Sequence, residues 1–348
     1  MDVLLIKTSS LGDVLQTFPA LSDALALVPG VRFDWLVEPA YAQVCHWHPA
    51  VARTIAVDQR RWRRTPLRGL TNRDLWRLIG TLRERRYDRV IDAQGLLKSA
   101  MFGLLTRGPR HGFDPQSVAE WPAALTYHRR HAAPPGANAV GRLRHLFAAA
   151  LGYAPPTSAP DFGLLRDRFG PPVLSERYIV FNHGTAWPTK RWPVTRWREL
   201  AAIAAAAGYT VCLPWNDAQD RAYCEAVADG IPAAKPMQLD LPGIARALAG
   251  AAGAVGVETA FSHLAAALEL PTVTLYGPTG PARHSTNGPR TAHLASADFP
   301  CSPCYGRRNC KLDPARSESP PCLAAVSAER VWRALIGANG GKPLGVPG

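Results

Sequence analysis

The chain has 348 residues, 47% of them hydrophobic, and a formal net charge of +13. This length exceeds one comfortable core and suits two domains, and the composition excludes both a disordered chain and a membrane bundle. The first 150 residues carry 21 Lys and Arg against 12 Asp and Glu, so +9 of the charge lies there; such a face attracts nucleic acid, anionic lipid or a phosphorylated substrate.

The opening Met1-Asp-Val-Leu-Leu-Ile-Lys7 is too short an apolar run for a secretion signal. No run reaches the roughly 18 apolar residues of a membrane span. The expected location is the cytoplasm, with peripheral contact at the inner membrane through the basic face.

Residues 3–6 read as a buried strand, followed by a helix from near Val14 with Leu15, Phe18, Leu21 and Leu25 at helical spacing. Residues 33–37 and 90–91 are further strands. This β-α-β rhythm predicts a parallel sheet covered on both faces. Ala154-Pro-Pro-Thr-Ser-Ala-Pro160 reads as a linker, after which strands at 178–182, 210–214, 254–257 and 272–276 repeat the pattern. The expected division is 1–160 and 175–325, two doubly wound domains facing a cleft, with 326–348 a terminal helix and loose tail.

Five segments carry chemistry. Lys7-Thr-Ser-Ser-Leu-Gly-Asp13 joins the first strand to its helix, where Gly12 permits close backbone approach and Asp13 offers a carboxylate for proton abstraction. Asp13 with Gln16 also reads as a helix-capping pair, the stronger reading on local grounds. The loop has no G-x-G-x-x-G, which argues against a nicotinamide cofactor.

Arg60, Arg61, Arg63 and Arg64 form a basic run that is either solvated surface or, with Trp62 inside it, an anion contact. His183-Gly-Thr185 and Lys190 suit a diphosphate leaving group, or Lys190 is a surface lysine before a helix. Glu258-Thr259-Ala260 opens a helix whose N-terminus suits phosphate, with Thr259 as cap. His263 on that helix reads as packed.

Cys301, Cys304, Cys310 and Cys322 cluster in a Pro-rich segment. They are read as a structural zinc or iron site without a catalytic role. Cys45, Cys212 and Cys224 read as ordinary buried thiols.

Lys7-Thr-Ser-Ser-Leu-Gly-Asp-Val-Leu15, Phe33-Asp-Trp-Leu-Val-Glu38, Ile91-Asp-Ala-Gln-Gly-Leu-Leu-Lys-Ser-Ala100, Leu213-Pro-Trp215, Ser262-His-Leu-Ala-Ala-Ala-Leu268 and Leu275-Tyr-Gly-Pro-Thr279 together resemble the lipopolysaccharide heptosyltransferase I group of glycosyltransferase family 9. The likeness runs from the first strand to about residue 280. It implies a GT-B fold of two Rossmann-like domains. It also implies inverting transfer of L-glycero-D-manno-heptose from ADP-heptose to Kdo of the lipid A inner core, with no catalytic cofactor.

The same resemblance assigns Asp13 as general base. It places Thr185, Lys190, Asp220, Glu258, Thr259, Ala260 and His263 at the donor, and Ser10, Gly12, Arg60, Arg61, Arg63, Arg64 and Lys98 at the acceptor. Nucleic acid is not an expected partner. The chain departs from the family pattern in having Glu258 and Ala260 where Asp and Gly are usual, Asp220 where Glu is usual, and the cysteine segment. Two alternatives are another family 9 enzyme (heptosyltransferase II or a protein O-heptosyltransferase) and a non-catalytic anion- or nucleic-acid-binding protein.

Overall fold

The computed structural model describes residues 1–59, 73–296 and 299–345. The chain divides into two compact units, Met1–Leu164 and Leu165–Gly348.

The first unit holds a six-stranded, all-parallel sheet. Its strands are β1 Asp2–Ile6, β2 Arg32–Val37, β3 Val51–Ala56, β4 Arg89–Asp92, β5 Arg110–Phe113 and β6 Arg129–His131, in the order β3-β2-β1-β4-β5-β6. Central β1 is buried on both faces, as an apolar run at the middle of a parallel sheet must be. One face packs Leu4, Ile6 and Leu36 against Leu78 and Leu82 of the helix Arg73–Glu84; each such side chain contributes about 1.5–3 kcal/mol on burial.

The opposite face is tied by a buried ion pair. Arg144 on the helix Ala139–Leu151 meets both carboxylate oxygens of Asp23, at 2.6 and 2.9 Å, and donates to the Ser158 carbonyl at 2.7 Å. The linker is thereby held against the helix that precedes it.

The expected single helix from near Val14 is two helices, Leu11–Leu15 and Phe18–Leu27. Thr17 breaks the run by turning its hydroxyl onto the Asp13 carbonyl, at 2.8 Å, and Pro19 restarts the next helix in its first turn. Leu25 is exposed, and Ala24 takes its place on the buried face.

The second unit repeats the architecture: β7 Tyr178–Asn182, β8 Thr210–Trp215, β9 Ala234–Gln238, β10 Gly253–Val257, β11 Thr272–Tyr276 and β12 Thr291–Ala295, in the order β12-β11-β10-β7-β8-β9. Trp192 and Trp197 meet edge to face at 4.9 Å beside Phe181.

The helix Ala328–Ala338 is part of this core through Val331 and Leu335, not a separate terminal element. The residues after it, expected to be loose, include Leu344, fully buried, whose carbonyl accepts from the Tyr209 hydroxyl at 3.0 Å. One apolar side chain in a Gly- and Pro-rich tail anchors it.

In each sheet the chain reverses winding direction beside the first strand, between β1 and β4 and between β7 and β10. Ligands of doubly wound sheets bind outside the carboxyl ends of the strands at such a point.

Candidate functional site

In the first unit, the loops after β1 and β4 are stitched together. Gln94 Oε1 accepts from the backbone N–H groups of Thr8 and Ser9, at 3.1 and 3.3 Å. Lys7 is buried; its Nζ donates to the Ala93 carbonyl at 3.2 Å and lies 3.7 Å from Asp13 Oδ1.

Ser10 donates from its N–H and its hydroxyl to Asp13 Oδ2, at 2.7 and 2.9 Å. The cap residue is therefore Ser10, with Asp13 at the third helical position, rather than Asp13 capping toward Gln16. Ser10 has extended backbone angles while Leu11 is already helical, and that sets the register. The result is a carboxylate fixed by two donors and a cation, yet with 40% of its side chain exposed.

Gly12 is half-buried in the same turn, and Lys98 is exposed on the first turn of the helix Leu97–Leu104. Arg60, Arg61, Arg63 and Arg64 lie outside the described residues.

Sequence reasoning missed the group that shapes the β4 loop. Asp92 is buried and accepts from Tyr127 Oη (2.7 Å), Ser99 Oγ (3.0 Å) and the N–H groups of Gln94 and Gly95 (2.9 and 3.1 Å). Burial pulls its carboxyl upward in pKa against these four donors.

In the second unit, the carboxyl ends of β7 and β8 open into a pocket of about 540 Å³, a volume usual for small-molecule sites. Thr185 and Asp220 line it. Asp220 is half-buried; burial raises its pKa, Asp217 adds to the rise, and Arg191 opposes. Asp217 caps the helix Ala218–Ala228 through the Asp220 N–H at 2.8 Å, which places Asp220 on the first turn facing the pocket. Pro214, Trp215, Ile244 and Phe261 supply apolar walls.

His183 forms part of the lining and stacks on Tyr223 at 5.1 Å. Its Nε2 lies 3.0 Å from the Pro214 carbonyl and 3.0 Å from the Cys224 Sγ. Burial holds its pKa down at about 4, against the pull of the Pro214 carbonyl.

Lys190, Glu258 and His263 come together although 68 residues separate the first two. Lys190 Nζ donates to the Glu258 carbonyl at 3.1 Å and pairs with Glu258 Oε2, which also accepts from Thr279 Oγ1 at 3.0 Å. His263 Nε2 lies 3.6 Å from Glu258 Oε1. Burial pulls the Glu258 carboxyl up, but His263 and Lys190 together outweigh it and hold it down at about 2. Lys190 also sits 4.4 Å above the Trp187 ring, an aromatic contact that the sequence did not suggest.

Thr259 is the residue before the helix Ala260–Ala267, as expected of a cap, but its hydroxyl makes no cap hydrogen bond and is buried without a partner among the described residues. Ala260 is the first residue of that helix.

Cys301, Cys304, Cys310 and Cys322 are all free thiols, the last two buried. Burial pushes the Cys322 thiol up to about 11, and Cys310, Cys301 and Cys304 push it the same way. Among the described residues no three His, Cys, Asp or Glu side chains are grouped so as to hold a metal ion.

Two parallel-sheet domains, a fixed carboxylate in one and a polar pocket and a buried lysine–glutamate pair in the other, suit group transfer from an activated donor. The family model for glycosyltransferase family 9 (heptosyltransferase) matches residues 75–315. The chain belongs to glycosyltransferase family 9. Lipopolysaccharide heptosyltransferase 1 of Pseudomonas aeruginosa is 44% identical over 342 residues, covering 95% of this chain and 96% of that protein. The same-named protein of Escherichia coli K12 is 42% identical over 284 residues, covering 81% and 89%. The solved E. coli heptosyltransferase WaaC with ADP superposes with a TM-score of 0.85 at 36% identity, covering 97% of this chain and all of that one. The fold is GT-B, its two sheets being the two Rossmann-like domains, and this family 9 member is a glycosyltransferase.

Proposed function

We propose that this enzyme transfers L-glycero-D-manno-heptose from ADP-heptose to Kdo of the lipid A inner core, with inversion. The observation that carries the reading is its likeness, over nearly the whole chain, to heptosyltransferases bound to ADP and to ADP-2-deoxy-2-fluoro heptose. Asp13 takes the proton of the attacking Kdo hydroxyl, whose oxygen bonds to the anomeric carbon as the carbon–oxygen bond to ADP breaks. Lys190 offsets the charge that grows on the departing diphosphate, and Thr185 with the N-terminus of the helix Ala260–Ala267 binds the same group. Asp220 faces the ribose of ADP. Ser10, Gly12, Lys98 and the Arg60–Arg64 run meet the anionic acceptor, whose carboxylates and phosphates suit guanidinium and ammonium groups. Kdo-lipid A offered beside already heptosylated core tests the acceptor. Preference for the first supports the reading; preference for the second assigns heptosyltransferase II chemistry.

The acceptor is a lipid, and the first domain carries a surface suited to a bilayer. Leu97, Met101 and Leu104 form an exposed row on the helix Leu97–Leu104. Trp121 and Leu125 stand exposed on the neighbouring short 3₁₀ helix Trp121–Thr126, joined to the first through the Leu97 N–H and Glu120 at 2.8 Å. Exposed Lys98, Arg107, Arg129 and Arg130 belong to the same elements or adjoin them. Apolar side chains with basic neighbours suit an anionic membrane surface. Among the described residues no helix is long and apolar enough to cross a membrane; the contact proposed here is peripheral, on the cytoplasmic face of the inner membrane. Replacing both Trp121 and Leu125 by Ser lowers binding to phosphatidylglycerol-containing vesicles about tenfold or more. Unchanged flotation with such vesicles removes this face from the account.

We propose that Cys301, Cys304, Cys310 and Cys322 hold a structural zinc or iron ion as thiolates. Elemental analysis of purified protein near one metal per chain supports it, and folded metal-free protein sinks it.

A further inference from the structure

Asn182 is the last residue of β7 and 2% exposed, and both its Oδ1 and its Nδ2 are buried without a partner among the described residues. Nearly all buried polar side-chain atoms are paired, and leaving one unpaired is costly. Here two atoms of one carboxamide are unpaired, and the residue lines the 540 Å³ pocket.

The site is built around it. Asn182 pairs in register with Gly256 of β10, at the point where the winding of the sheet reverses. A Cβ at Gly256 would stand 2.7 Å from the Asn182 Cβ and collide with Ser262 Oγ, so glycine there leaves the carboxamide its room. Residues 178, 180 and 182 alternate onto one face of β7, and the Tyr178 hydroxyl donates to the Ala247 carbonyl of the helix Leu241–Gly250 at 2.8 Å. Asn182 thus points to the face that this helix covers, where Ile244 and Phe261 line the pocket.

We infer that Asn182 binds the nucleoside half of the nucleotide sugar and helps to set which nucleotide the pocket takes; the inference rests on reading this pocket as the donor site. A carboxamide left with a free donor and a free acceptor is matched by a group presenting both side by side. An adenine edge does this, as does a ribose hydroxyl. A phosphate only accepts, which would satisfy Nδ2 and leave Oδ1 buried and unpaired. The apolar walls suit a flat base beside the amide.

The test is calorimetric binding of ADP, AMP and inorganic pyrophosphate to the unchanged protein and to Asn182→Leu, a near-isosteric change, with melting temperatures of the ligand-free proteins. Asn182→Ala is the second variant should the first misfold. The expected result is an ADP and AMP Kd raised about tenfold, pyrophosphate binding unchanged, and a ligand-free melting temperature equal to or above that of the unchanged protein, because an unpaired amide has been removed. Unaltered ADP affinity with a lowered melting temperature would make Asn182 a packing residue and overturn the inference. An equal loss for pyrophosphate would also overturn it, by moving the amide to the diphosphate. Failure of the unchanged protein to bind ADP would instead sink the donor-site reading itself, and the inference with it.

Discussion

Asp13→Asn lowers kcat by roughly 10²–10⁴, the usual worth of a positioned general base, while the Kd of ADP-heptose stays where it was. The Asn variant is more telling than Ala because Asp13 has two jobs in this structure. Its Oδ2 receives the Ser10 N–H and hydroxyl and so closes the first turn of its helix. An asparagine oxygen keeps those two hydrogen bonds but has no basicity. A large loss of turnover in a protein with an unchanged melting temperature therefore isolates proton transfer. Asp13→Ala removes the cap as well, at a further cost of about 1 kcal/mol. Turnover within a fewfold of normal in Asp13→Asn would return the residue to a purely structural role.

Lys190→Ala acts on both rate and stability. Removing the cation that faces a developing diphosphate charge costs about 10²–10³ in kcat. It also leaves Glu258, only 11% exposed, with Thr279 and His263 but no ammonium; breaking a buried pair from one side costs about 3–5 kcal/mol. Adding Glu258→Gln to Lys190→Ala removes the stranded charge, so stability returns while turnover does not. Recovery of turnover along with stability would place Lys190 outside the chemistry.

The same pair gives the protein an acid limb. The folded pKa of Glu258, about 2, lies below its ordinary value of 4.5. Its contribution to stability is full above about pH 4.5 and is lost as pH falls through 2. In Lys190→Ala part of that loss moves toward pH 4.5, which an acid-denaturation series would detect.

The central strands were legible because both faces are buried, which writes unbroken apolar runs such as those of β1, β7 and β10 into the sequence. The outer strands were not. β6 is Arg-Arg-His and β9 is Ala-Lys-Pro-Met-Gln, with exposed side chains that leave little hydrophobic signature. Lys190 and Glu258 were each identified through their motifs, but their contact joins loops far apart in the chain and has no local spacing to betray it. Asn182 escaped notice for a different reason. An asparagine at the end of a strand reads as a turn former, and only the burial and the empty hydrogen-bonding capacity around it mark it out.

The central claim is the transfer itself. Purified protein incubated with ADP-heptose and Kdo2-lipid A, with the lipid product read by mass, tests it most directly. The account predicts a gain of one heptose on the lipid together with release of ADP. Unaltered lipid under conditions where ADP-heptose is bound would contradict the acceptor assignment.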